Sequence, residues 1–386
     1  MSLTGLRFLA AILIFLTHGA NLFDLRDAAL QKNYSFLSEN LGVIGVSSFF
    51  ILSGFVLTWS ARAGQGAPAF WRRRLFKIFP NHVTVWAIAL VLLVIGGAHI
   101  GLGPALTQLF LVQSWVPLQD LYLPPVNGIT WSLSAELLFY AAFPLLIVGV
   151  RKIRTERLWL WVGAITLLAL LLPLLARGVL PASPASIQSA TVSWPRQWFL
   201  YFFPVSRSLE FIVGMMLAEV VRRDRWVGIG VAPAAALVIA SYVASLALPG
   251  EWGFGQLFML PTALLITALA VRDLQGRQSF LANRTWTFLG ELTYSFFLIH
   301  VLVMFYLQAA LVGQFGGTGY YTRQQYSTPV ALAFLVLLFA VSLALSWVLY
   351  RTVQVPAARR WSRKRTPKLA VVPPPGEQST SRRTAA

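Results

Sequence analysis

Ten apolar runs, each close to the length of a bilayer crossing, divide this chain at roughly 6–24, 42–60, 77–98, 129–150, 157–176, 197–221, 227–248, 254–271, 286–311 and 329–350. About 20 apolar residues at 1.5 Å each traverse a hydrocarbon core of about 30 Å, where only helices or a closed barrel satisfy the backbone. The runs are continuous rather than alternating, so they predict helices. Charged residues make up only 11% of the chain, against about 25% in a soluble domain. The expected fold is therefore an all-α integral membrane protein, a bundle of about ten transmembrane helices. A shorter apolar piece near 104–118 carries Pro104 and Pro117 and reads as re-entrant or interfacial.

The basic residues behind the formal charge of +18 gather in short clusters between these runs, which argues against a nucleic-acid partner and for a topology signal. With ten spans, one face receives Arg72, Arg73, Arg74 and Lys77, then Arg151, Lys152 and Arg154, then Arg222, Arg223 and Arg225, then Arg272 and Arg277. The opposite loops hold scattered charges such as Arg26, Lys32, Arg177 and Arg323. The basic face is expected to be cytoplasmic, with both termini on that side. The first run lacks a small-residue cleavage site after its apolar core and reads as a retained span. Residues 1–361 form one membrane domain by this division, and the basic, proline-containing stretch 362–386 is expected to be a disordered cytoplasmic tail touching anionic lipid. Tryptophans such as Trp71, Trp131, Trp159, Trp161, Trp198 and Trp347 fall near span ends, as an interfacial belt would.

Ionisable residues inside spans are costly, so each one needs a reason. Arg7 and His18 share the first span, LRFLAAILIFLTH. Eleven positions at about 100° bring both to one helix face, about 16 Å apart along the axis. An imidazole there can accept a proton in catalysis or simply tie two helices together. Glu136, early in the fourth span beside Trp131 and Tyr140, is expected at a depth comparable to His18, where the two could pair; a bond to Trp131 or Tyr140 is the alternative. Arg74 and Lys77, three apart on one helical face, can grip phosphate as well as set topology. Arg207 and Glu210 are spaced for a mutual ion pair, structural or facing a substrate. Gly45, Ser47, Ser48, Ser53 and Gly54 allow close helix packing, and Thr293, Tyr294 and His300 form a polar stripe for packing or cavity lining.

Several chemistries are excluded. The chain has no cysteine, hence no disulfide, thiolate nucleophile or Cys-ligated metal, and its four histidines are dispersed. It has no Walker A loop and no G-x-S-x-G elbow. Five residues separate His18 from Asp24, so the four-residue gap of the glycerolipid acyltransferases' histidine–aspartate motif is absent.

Seven pieces in order, LRFLAAILIFLTH, GVIGVSSFFILSGFVLT, RRRLFKIFP, ITWSLSAELLFYAAFPLL, RSLEFIVGMMLAE, LGELTYSFFLIH and SWVLYRTVQVPAARR, resemble the acyltransferase 3 family. These are integral-membrane acyltransferases of surface polysaccharides and related acceptors. The resemblance implies a bacterial inner-membrane enzyme that moves an acyl group from cytoplasmic acyl-CoA, most simply acetyl-CoA, to a hydroxyl of a saccharide or glycolipid, with no metal. It implies His18 as the catalytic residue, either deprotonating the acceptor hydroxyl or becoming transiently acylated, with Arg7 and Glu136 beside it. Arg72, Arg73, Arg74 and Lys77 would meet the CoA phosphates. Ser53, Trp131, Tyr140, Arg207, Glu210, Tyr294 and His300 are the expected lining of the substrate cavity. Lys77 stands where many relatives have arginine, and Gln354 where many have glutamate. A transporter or flippase without catalysis, or a scaffold, is the rival reading; neither inverted repeats nor paired broken helices support the first.

Overall fold

A computed structural model describes residues 2–38, 40–61, 66–97, 100–122, 126–186, 189–277, 279–312 and 324–361. Arg323 and the basic stretch 362–386 lie outside the described residues. The helices are α1 (Ser2–Ala20), α2 (Ala28–Ser38), α3 (Leu41–Ser60), α4 (Ala67–Ile95), α5 (Leu102–Leu109), α6 (Trp131–Lys152), α7 (Leu158–Val179) and α8 (Trp194–Gln197). They continue as α9 (Pro204–Arg222), α10 (Val231–Ala247), α11 (Met259–Leu274), α12 (Arg284–Val312), α13 (Thr328–Leu349) and α14 (Val355–Trp361). Two small sheets accompany them, β1 (Asp24–Leu25) parallel to β4 (Gln325–Tyr326) and β2 (Ala185–Ser186) antiparallel to β3 (Ser189–Ser193). The fold is all-α, and every apolar run of the sequence is a helix.

Among the described residues, eight helical segments are long and apolar enough to cross a membrane. The two other predicted spans are α10, with 17 residues, and α11, with 16. The chain is thus a multi-pass membrane protein. The third predicted span begins earlier than expected: α4 starts at Ala67, so the basic cluster lies within the helix and not before it. The 104–118 piece is the short α5 followed by 3-10 turns.

Glycine-mediated contact sets the bundle's centre. A Cβ on Gly54 of α3 would lie 1.9 Å from the Phe211 carbonyl oxygen of α9, and one on Gly214 would lie 2.2 Å from that of Ile51. The two backbones therefore touch at both places, and any larger side chain would part them. Without water to drive association inside a bilayer, such close van der Waals approach is what holds helices together. Gly255 adopts φ +116°, and a side chain there would collide with the Arg207 guanidinium.

Candidate active site

A cavity of about 310 Å³ lies where α1, α3, α4, α6, α12 and the π turn Tyr350–Gln354 meet. Arg7 lines it from α1, Ser53 from α3, Arg74 and Lys77 from α4, Glu136 and Tyr140 from α6, Tyr294 from α12, and Tyr350 and Gln354 from the turn. Helical spacing explains the grouping. Arg74 and Lys77 are three apart and Glu136 and Tyr140 four apart, so each pair presents to one side of its helix.

The carboxylate in this cavity is satisfied and the cations are not. The Tyr140 hydroxyl donates to Glu136 Oε1, and Ser53 donates to the same oxygen at 3.3 Å. Arg74 lies over the rings of Phe70 and Tyr140, 5.5 and 5.6 Å from their centroids, which supports its charge without neutralising it. Its Nε is buried without a hydrogen-bond partner, as is Nη2 of Arg73. Among the described residues, Arg7, Arg74 and Lys77 make no hydrogen bond to a protein acceptor and no ion pair. A second carboxylate, Glu291, is exposed at the rim and accepts a 2.9 Å hydrogen bond from Tyr350. Three cations without ion pairs, beside two carboxylates that each accept a hydrogen bond from a tyrosine, can hold an anion, and guanidinium groups match phosphate oxygens in geometry.

His18 lies outside this lining. Its Nδ1 is 2.9 Å from Nε2 of His300, and the two rings stack at 5.2 Å with 18° between their planes. The expected Glu136–His18 pair is therefore not formed: Glu136 bonds to Tyr140 and Ser53, and His18 to His300. The reason is depth. Asn127, ahead of α6, already reaches the Leu298 carbonyl at 2.9 Å, level with His300. Glu136 lies nine residues beyond it, roughly 13 Å if helical, which carries it down to the Arg7 end. The cavity approaches the histidines closely. Its upper lining includes Val46, Phe49 and Phe297, and His300 is one helical turn past Phe297. The Phe49 and Phe297 rings, both in the cavity's lining, meet edge to face at 6.0 Å, and the Phe297 ring lies 6.0 Å from that of His300.

Other expected site residues lie elsewhere. Arg72 is exposed and Arg73 half-buried, and neither lines the cavity. Arg207 and Glu210 do pair, at 3.0 Å, but sit buried away from the cavity, with Ser47 donating to Glu210 at 2.7 Å and Arg207 donating to the Phe254 carbonyl. Trp131 is buried at 7% exposure against Tyr201 and Phe202, so it belongs neither to an interfacial belt nor to the cavity. Ser53, Tyr140 and Tyr294 line it as expected. Glu291 and Tyr350 were not picked out from the sequence, although Glu291 stands in the quoted motif LGELTYSFFLIH and its charge within a span was the available signal. Asn81 Nδ2 donates to Gln354 Oε1 at 3.0 Å and Ser295 donates to the same oxygen at 2.8 Å, so the Gln354 amide has a settled place in the wall.

A family model described as an acyltransferase domain (Acyl_transf_3) matches residues 2–351. The chain is 35% identical over 394 aligned positions to acyltransferase MdmB of Streptomyces mycarofaciens, covering 100% of this chain and 98% of that protein. It is 29% identical over 161 positions to nodulation protein 10 of Rhizobium leguminosarum bv. viciae, covering 37% of this chain and 42% of that one. No solved structure matches it.

Proposed function

Since the chain belongs to the acyltransferase 3 family, we propose that this membrane acyltransferase takes its acyl group from acyl-CoA, most simply acetyl-CoA, and transfers it to a hydroxyl of a saccharide or glycolipid. The observation that carries the donor assignment is the set of unpartnered cations Arg7, Arg74 and Lys77 around one cavity. A CoA donor presents several phosphate charges at one end and a thioester at the end of a long arm. Phosphates held by Arg74 and Lys77, with Arg72 and Arg73 at the approach, leave that arm to run along α1 towards His18, about 16 Å from Arg7. The positive-inside rule supports a cytoplasmic entrance, with both termini on that side and the bacterial inner membrane as the location.

At His18 the acceptor hydroxyl gives its proton to the imidazole as its oxygen attacks the thioester carbonyl. The carbon–sulfur bond then breaks, and the departing thiolate takes the proton back. One ester forms, one thioester is lost, and the histidine returns to its starting state. Glu136, hydrogen-bonded by Tyr140 and Ser53, lines the same cavity as Arg7, Arg74 and Lys77 and leaves their donors to the phosphates.

Purified protein in lipid nanodiscs, given radiolabelled acetyl-CoA and a crude glycolipid acceptor pool, should transfer label to the pool, and His18→Ala should abolish the transfer while folding and insertion persist. Near-normal transfer by His18→Ala would remove His18 from the chemistry. Acceptor moved across the membrane without gaining label would favour a flippase.

A further inference from the structure

The proton positions of the histidine pair can be read from its partners. His300 is 1% exposed and its Nδ1 faces two backbone carbonyls of its own helix, Phe296 O at 3.1 Å and Phe297 O at 2.8 Å. Carbonyl oxygens only accept, so Nδ1 of His300 carries the hydrogen. With one proton to each ring, its Nε2 is a lone pair. The atom facing that lone pair at 2.9 Å is Nδ1 of His18, which must then be the donor. His18 therefore holds its own proton on Nδ1 and leaves Nε2 as the basic nitrogen. That Nε2 makes no hydrogen bond to any described residue, on a ring that is only half-buried.

We propose that His300 is the positioning residue of the reaction: it fixes the tautomer and plane of His18 so that Nε2 alone receives the acceptor's proton. The inference rests on the reading of His18 as the base, and it gives the orienting role to a neutral imidazole and not to Glu136. The packing supports it. His300 lies flat on Phe296, with centroids 5.5 Å apart and planes 5° apart, and Phe15 and Phe297 close round it. The partner ring is thus held by two carbonyls and three phenylalanines before any substrate arrives. The step balances throughout: when Nε2 gains the hydroxyl's proton, the Nδ1 hydrogen still points at the His300 lone pair, and the thiolate removes only the proton on Nε2. The acceptor must approach from the Nε2 edge of the ring.

The test combines a spectrum and a rescue. The full chain has only four histidines, so ¹⁵N-histidine labelling of protein in nanodiscs gives few signals, and His18→Asn assigns those of His18. The expected signature is a protonated Nδ1 and a bare Nε2 on His18; a proton on Nε2 in the wild-type protein overturns the proposal. In transfer assays His300→Leu should lower kcat about 100-fold, with KM for the donor within threefold of wild type, a loss typical of a misplaced general base. His300→Gln, whose amide oxygen can accept from Nδ1, should recover at least tenfold of that. A kcat within threefold of wild type in His300→Leu overturns the assignment, and if both variants fail to fold the wild-type spectrum decides alone. Activity retained by His18→Ala would instead sink the base reading, whatever the spectrum shows.

Discussion

Two groups of cations end in opposite chemical states. At the ends of α6 and α9, the buried carboxylate of Glu219 is shared by Arg151 at 3.4 Å, Arg222 at 3.2 Å and Arg223 at 3.2 Å. Their remaining donors go to backbone: Arg151 to the Ala61 carbonyl, Arg222 to that of Thr58, and Arg223 to that of Ile153. This knot ties the last turns of three helices and leaves its cations little to offer a ligand. On α4 and α1, Arg74, Lys77 and Arg7 face a cavity without such partners. Both groups hold arginines on neighbouring helices, but among the described residues the second has cations without a hydrogen-bonded or ion-paired partner. Satisfaction, more than charge, separates structural from ligand-binding arginines.

That contrast can be broken or sharpened by experiment. The largest effect should come from Arg74→Ala combined with Lys77→Ala, which should raise the donor's KM about 100-fold while thermal unfolding stays within a few degrees of wild type; calorimetry and kinetics on the same preparation check both. Unchanged KM with lowered stability would make this cluster a second knot. Glu219→Gln should do the reverse, costing about 2–3 kcal/mol of stability in a denaturation series while the surviving enzyme keeps its KM. A smaller difference should appear with salt. Donor KM should rise several-fold between about 0.05 and 0.5 M salt, because the cavity's cations are open to screening, whereas the Glu219 knot should be nearly insensitive. The smallest effect concerns Glu251, 3% exposed in the loop before α11. Burial pushes its carboxyl up, but two hydrogen bonds from Arg177, at 3.0 and 2.8 Å, outweigh this and hold it below the usual carboxylate range. A depressed value contributes stability above the unfolded pKa of about 4, and loses it as pH falls through the folded one. Glu251→Gln should therefore flatten the acid limb of the unfolding profile and leave neutral activity alone.

Much of the frame was legible because it follows from local pattern. Apolar length gave the helices, the spacing of Arg207 and Glu210 gave their ion pair, and Gly54 gave close approach to α9. Arg74, Lys77 and Glu136 were found as charges that a span must justify, and they do share a cavity. What failed was depth. Glu136 was placed by counting from the start of its apolar run, but the segment before α6 already enters the bundle, as the bond from Asn127 to Leu298 shows. Trp131 was misread for the same reason, buried where an interfacial ring was expected. The His18–His300 bond joins residues 282 apart, and no local rule reveals such a partner. Glu291, a charge inside the ninth predicted span, carried the same signal as Glu136 and was not followed.

The edge-to-face contact between Phe49 and Phe297 has a consequence for the cell as well as for the reaction. Were the donor to enter from one compartment and the acceptor from the other, as proposed, such a protein would risk becoming a leak for protons and small ions. The apolar rings of Phe49 and Phe297, on the part of the cavity wall nearest His300, offer a hydrated ion no hydrogen bond, so on the proposed route an acyl arm would pass them more readily than an ion.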